Sequence, residues 1–243
     1  MIIIPARLSS SRLPNKVLAD INGIPMIIRC ANIAKEIDDV VIATDSEEVI
    51  KVCKKYNFEA ILTDKNHKSG SDRIKEASDI LKLDKNELII NMQGDEPFLE
   101  AEILEKVKNT LKENKENFNM VSCYKEISEI EAEDPNIVKV IIDYNNFAIY
   151  FSRSKIPYNR DNNPHIYYGH IGIYGFDKKS LDEFVTMKGN LEHIEKLEQL
   201  RVLENGKKIK MIKVKTNSFG IDTIDDLKKA IEFAKKVDKW KLQ

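Results

Sequence analysis

The chain has 243 residues, a length that accommodates one large α/β core. Lys and Arg number 39 and Asp and Glu number 40, and this balance (net −1) excludes the basic excess on which duplex nucleic-acid binders depend. No uninterrupted apolar run approaches the roughly 20 residues of a membrane span, so neither nucleic acid nor membrane is expected as a partner. In chain order, the first half alternates apolar runs with amphipathic stretches. Strands are predicted at Met1–Ile4, Val40–Thr44, Glu59–Leu62 and Glu87–Met92. Helices are predicted near Met26–Ile37, Glu47–Tyr56, Asp72–Leu83 and Glu100–Asn114. Such alternation implies βαβ units and a mostly parallel sheet with helices on both faces. The middle is β-rich, with Met120–Tyr124, Val138–Asp143, Ala148–Phe151 and Ile166–Phe176 reading as a hairpin or mixed-sheet insertion. Helices near Asp177–Phe184 and Leu191–Asn205, a strand near Lys210–Lys215 and a closing helix near Ile224–Val237 complete the chain. Asn205-Gly206 is a helix-stop signal, and Asp222-Thr223-Ile224-Asp225-Asp226 reads as an N-cap with an acidic first turn.

The apolar start ends at Pro5 and Arg7, without the basic head and apolar middle of a signal peptide, so a cytoplasmic protein is expected. Cys30, Cys53 and Cys123 are scattered, with no CxxC spacing, and are expected as reduced, mostly buried thiols.

In a doubly wound sheet, ligands bind beyond the carboxyl ends of the strands, so the loops there carry the chemistry. The first loop, Pro5 to Lys16, has neither a Walker pattern nor GxGxxG. It carries Arg7, Arg12 and Lys16 among small hydroxyl residues, which suits a polyphosphate, although spacing alone favours an ordinary solvated basic loop. The fourth strand ends in Asn91-Met92-Gln93-Gly94-Asp95-Glu96-Pro97, where Asp95 is either a metal-binding carboxylate or a turn acid. Asp222 is a second candidate, as a metal ligand or as the cap of the closing helix. None of the four histidines has zinc-ligand spacing, and no GxSxG is present. Glu195, Glu198 and Gln199 fall at i, i+3 and i+4 of the predicted helix Leu191–Asn205 and so would share one face, either solvated or offered to a polyhydroxylated ligand. Arg153 at a strand end could meet a carboxylate, while His170 and Tyr174, four apart, share a strand face.

Seven segments, taken in order, resemble the 3-deoxy-manno-octulosonate cytidylyltransferase family, the CMP-Kdo synthetases of lipopolysaccharide synthesis. They are Ile4-Pro5-Ala6-Arg7 with Ser11-Arg12-Leu13-Pro14 and Lys16; Ser69-Gly70-Ser71-Asp72-Arg73; and Asn91 through Pro97. Further on come Tyr150-Phe151-Ser152-Arg153; His170 through Gly175; Leu191 through Glu195 with Glu198-Gln199-Leu200-Arg201; and Gly220-Ile221-Asp222-Thr223. The resemblance implies a single-domain nucleotide-diphospho-sugar transferase fold over 1–243: residues 1–118 mainly for CTP, 119–221 mainly for the sugar acid and a homodimer interface, and 222–243 as a closing helix. It implies that Ala6, Arg7, Arg12 and Lys16 hold CTP, with Arg73 and Gln93 fixing the nucleoside. By the same resemblance Asp95 and Asp222 bind Mg²⁺ and, with Lys16, form the catalytic set. Arg153, His170, Tyr174, Glu198 and Gln199 match the sugar-acid region. The implied reaction joins CMP to Kdo with release of diphosphate; the rivals are a cytidylyltransferase for 8-amino-Kdo or an acylneuraminate, and a non-catalytic nucleotide-binding regulator. Against the family's pattern, Asn15 replaces a usual Gly, Gly169 a basic residue and Phe219 a small one, and the turn Asn159–Pro164 is short. Asn tolerates left-handed backbone as Gly does, so the loop around Asn15 is expected to keep its shape.

Overall fold

The computed structural model describes residues 1–10, 12–113 and 118–238, so Ser11 of the first loop and Asn114 of the predicted fourth helix lie outside the described residues. The chain forms two compact units, and the first takes its residues from three stretches: Met1–Lys82, Asn91–Ala101 and the chain from Asn217 onward.

Strand β1 (Ile2–Ala6) opens the first unit. A loop and a short 3₁₀ turn (Lys16–Leu18) lead to the hairpin β2 (Asp20–Ile21) and β3 (Ile24–Pro25), which the strand pattern did not predict. Its two-residue turn is Asn22-Gly23, both at positive φ (56° and 84°), as a tight hairpin turn demands. Then follow α1 (Met26–Lys35), β4 (Val40–Thr44), α2 (Glu47–Lys55), β5 (Glu59–Leu62) and α3 (Gly70–Ile80). As the alternation required, β4 lies parallel to both β1 and β5, with Ile2 opposite Val40 and Ala43 opposite Ile61. β1 and β4 are apolar up to the buried Thr44 at the end of β4, because both faces are covered. Ser46 caps α2 through Glu48 N and Val49 N, and Ser69 and Asp72 form a capping box on α3.

β6 (Leu88–Asn91) and α4 (Ala101–Glu113) precede the second unit's β-rich section, which comprises β7 (Met120–Ile127), a short helix α5 (Glu129–Glu133), β8 (Lys139–Ile142), β9 (Ala148–Ser152) and β10 (Tyr167–Asp177). β10 runs antiparallel to β7 and β8, and β8 antiparallel to β9, so the predicted hairpin is present. Its turn is tied by the Asp143 carboxylate, which accepts from Asn145 N and Phe147 N, both at 2.8 Å. Gly169 sits where β10 meets β8: an added Cβ would stand 2.8 Å from Ile127 Cγ2, so a side chain there would force Ile127 to shift.

Helix α6 (Lys178–Thr186) follows, and then the structure corrects the prediction of one helix over Leu191–Asn205. Two short helices stand there, α7 (Leu191–Glu195) and α8 (Leu200–Glu204), because Lys196 takes a left-handed conformation (φ 56°) and breaks the turn. Glu195, Glu198 and Gln199 therefore do not share a helix face. α8 stops at Asn205-Gly206 as predicted, with Gly206 at φ 67°, and β11 (Ile209–Lys213) pairs parallel to β7. Back in the first unit, α9 (Ile224–Val237) lays Ala230 and Ala234 on a core with Leu13, Ile21, Met26 and Ile221. Phe219 belongs to the same layer, its ring 5.7 Å from that of Phe98. Cys30, Cys53 and Cys123 are buried and make no disulfide, and burial pushes the Cys53 thiol up to about 11. Among the described residues no helix is long and apolar enough to cross a membrane.

Candidate active site

The basic loop after β1 is shaped by Asn15, which adopts φ 54° and ψ 30°, the left-handed conformation that its replacement of glycine required. That turn delivers Lys16 between two carboxylates from distant parts of the chain. Lys16 Nζ donates to Asp95 Oδ2 at 2.7 Å and to Asp222 Oδ1 at 2.8 Å, residues 79 and 206 positions away. Arg12 pairs with the other oxygen of Asp222 at 3.0 Å. Two backbone features bring the acids together. Ile221 N donates to the Asp95 carbonyl at 3.0 Å, joining the loop after β6 to the entry of α9. Gly94 lets that loop run against β1, since an added Cβ would stand 3.0 Å from the Pro5 carbonyl oxygen.

The reading of Asp222 as cap of the closing helix is corrected. Thr223 is the N-cap, forming a capping box with Asp226, so the Asp222 carboxylate is left to face Lys16 and Arg12. Lys16 is only 13% exposed. Its burial alone would lower the ammonium pKa, but the charge of Asp95 and hydrogen bonds to both acids win, and the pKa is raised; the group stays a cation.

These residues line a cavity of about 300 Å³, and Arg7, Arg73 and Gln93 line it too. Ala6 is buried at the end of β1, and Arg7 beside it is exposed. Arg73 is buried, and its guanidinium donates to Thr63 Oγ1 (2.6 Å), the Asp64 carbonyl (3.2 Å) and Asp45 Oδ2 (3.1 Å). Gln93 Nε2 donates to Asn91 Oδ1 at 3.2 Å. The sequence reading did not include Asp45, although it is an acid just past a strand end, the same signal that singled out Asp95. His67 also lines the cavity, its Nε2 2.5 Å from Glu76 Oε2.

The donor set suits a hard cation. Two anionic oxygens already converge on one ammonium, and Mg²⁺ is commonly held by one or two carboxylates while phosphate oxygens and water complete its shell. Among the described residues no group of three or more His, Cys, Asp and Glu forms a fuller metal cage, so the remaining ligands would come from substrate or water.

In the second unit, His170, Tyr174 and Gln199 meet. Tyr174 OH donates to Gln199 Oε1 at 3.1 Å, and Gln199 Nε2 stands 3.5 Å from His170 Nδ1. His170 Nε2 is 2.8 Å from Ser122 Oγ, and burial drives its pKa down to about 3, so the imidazole is neutral. Arg153 Nε donates to the Glu195 carbonyl at 2.7 Å and Nη1 to that of Pro135 at 3.0 Å, while the Glu195 carboxylate accepts from Ser152 Oγ and Arg153 N. Glu198 is half-buried between α7 and α8.

A cytidylyltransferase family model matches residues 1–209. The chain is 50% identical over 239 residues to the 3-deoxy-manno-octulosonate cytidylyltransferase of Wolinella succinogenes, covering 96% of this chain and 98% of that one. It is 53% identical over 232 residues to the protein of the same name from Nitratiruptor sp., covering 94% and 97%. Its fold is similar to a solved structure of CMP:2-keto-3-deoxy-manno-octonic acid synthetase complexed with CTP, with a TM-score of 0.91 and 34% identity, over 97% of this chain and 98% of that one.

Proposed function

This chain belongs to the cytidylyltransferase family, and we propose that it activates the sugar acid Kdo: CTP and 3-deoxy-D-manno-octulosonate give CMP-Kdo and diphosphate, for lipopolysaccharide synthesis. The observation that carries the reading is the convergence of Asp95 and Asp222 on Lys16 at the wall of a cavity rimmed by arginines. A turn acid and a helix cap have no need of that meeting; a divalent cation that accompanies a triphosphate does.

The anomeric hydroxyl attacks the α-phosphorus of CTP, the bond to the bridging oxygen breaks, diphosphate leaves with the electron pair, and the hydroxyl proton passes to solvent. The protein contributes positioning and charge neutralisation. Arg7, Arg12 and Lys16 hold the phosphates, and Lys16 neutralises charge that develops at phosphorus. Arg73 and Gln93, with backbone groups near Ala6, lie on the nucleoside side. Asp95 and Asp222 would hold Mg²⁺, which when bound neutralises phosphate oxygens and lowers the pKa of a nearby hydroxyl. The sugar acid falls to the second unit, where Gln199, His170 and Tyr174 supply neutral hydrogen-bonding groups for hydroxyls, Glu198 an acceptor and Arg153 a cation for the carboxylate. A homodimer and a cytoplasmic location belong to the same reading.

The test is diphosphate release with CTP or UTP against Kdo, 8-amino-Kdo and an acylneuraminate. Kdo with CTP is expected to give the highest kcat/KM, because a site built on a base's polar edge rejects the analogue that leaves its partners unpaired. Preference for another sugar acid reassigns the substrate; CTP binding with no release for any of them makes the chain a nucleotide-binding regulator.

A further inference from the structure

Asp45 stands at the carboxyl end of β4, and its two oxygens face different segments. Oδ1 accepts from Leu8 N at 3.1 Å, inside the loop that carries Arg7, Arg12 and Lys16. Oδ2 accepts from Arg73 Nη2 at 3.1 Å, and the same guanidinium reaches Thr63 Oγ1 and the Asp64 carbonyl beyond β5. The Asp45 side chain is only 10% exposed, so both contacts are made largely out of water, where a charge-assisted hydrogen bond is strongest. Asp45 thus ties the loops after β1 and β4 to helix α3, and Arg73 carries the tie on to the loop after β5.

From this geometry we infer that Asp45 is a positioning residue for nucleotide binding: it fixes the backbone of the basic loop at Leu8 and the Arg73 guanidinium in one arrangement before the ligand arrives. A loop of like charges repels itself, and ordering it on binding weakens affinity. An anchor that orders it in advance removes that penalty without touching the ligand. The inference rests on the CTP reading above.

Calorimetric titration of CTP into the full chain, Asp45→Asn and Asp45→Ala, together with steady-state KM and kcat, tests it. The Ala variant, which loses both contacts, is expected to bind CTP about tenfold more weakly and to show the loss in KM, with kcat changed less than about threefold. The Asn variant keeps an acceptor for Leu8 N but loses the charge opposite Arg73, and should fall between. If the Ala variant does not fold, the Asn variant decides alone: a Kd at least about threefold above that of the native chain is required. Native-like CTP affinity in a folded variant, even with a lowered Tm, overturns the inference, because a merely structural tie would move only stability. Absence of CTP binding by the native chain overturns the nucleotide reading and this inference with it; native binding with unmoved variants overturns this inference alone.

Discussion

Asp95 and Asp222 differ in what holds them, and a single substitution separates structure from chemistry at each. Asp→Asn keeps shape and most hydrogen-bonding capacity but removes the charge that Lys16 and a divalent cation require. The cap of α9 is formed by Thr223 and Asp226, so Asp222→Asn leaves the helix start intact. Asp95 offers its carbonyl, not its side chain, to Ile221, so Asp95→Asn leaves the loop junction intact. Each variant should fold normally yet lose more than about a hundredfold in kcat, the scale of metal-based charge stabilisation. The double variant should lose far less than the product of the two if both hold one cation as proposed. Near-native turnover of either single variant at saturating Mg²⁺ removes that residue from the site.

Among the elements, α9 places the Asp222 carboxylate against Lys16 by the way it begins. Thr223 Oγ1 accepts from Asp226 N at 3.1 Å, and Asp226 Oδ2 accepts in return from Thr223 N at 3.0 Å. Thr223→Ala removes one side of this box and should cost about 1 kcal/mol in denaturant unfolding. Thr223→Ser retains the hydroxyl and should recover most of it; equal losses in the two variants would show that the methyl group's packing, not the cap, is what matters. Other elements were set by signals of different strength. The Asn22-Gly23 pair is a strong local hairpin signal, but its flanking strands of two residues each are too short to show alternation. The break between α7 and α8 left no such mark, because nothing in Lys196 announces a left-handed residue.

For the molecule as a whole, acid stability follows from His170. Its folded pKa of about 3 lies below the ordinary value of 6.5, because burial disfavours the charged ring. Above about pH 6.5 neither state binds the proton and the residue adds no slope. As pH falls below that, the unfolded chain takes up a proton the folded chain cannot, so stability declines, and it continues to do so down to the folded pKa. Denaturation midpoints should therefore fall between about pH 7 and pH 5, and fall less in His170→Phe. Equal slopes for the two proteins would place the acid sensitivity elsewhere.

By itself the sequence determined the βαβ order and with it a mostly parallel sheet, the mid-chain hairpin and the candidate residues of the loops, because periodicity and turn chemistry are local and act within a few residues of where they are read. What it left open were the alternatives at Asp95 and Asp222, since a turn acid, a helix cap and a cation ligand have the same local spelling. Only tertiary structure decided that these two carboxylates face one ammonium and that Asp45 ties Leu8 to Arg73. Each of those contacts joins residues far apart in the chain, and no pattern along the sequence encodes a hydrogen bond made across the fold.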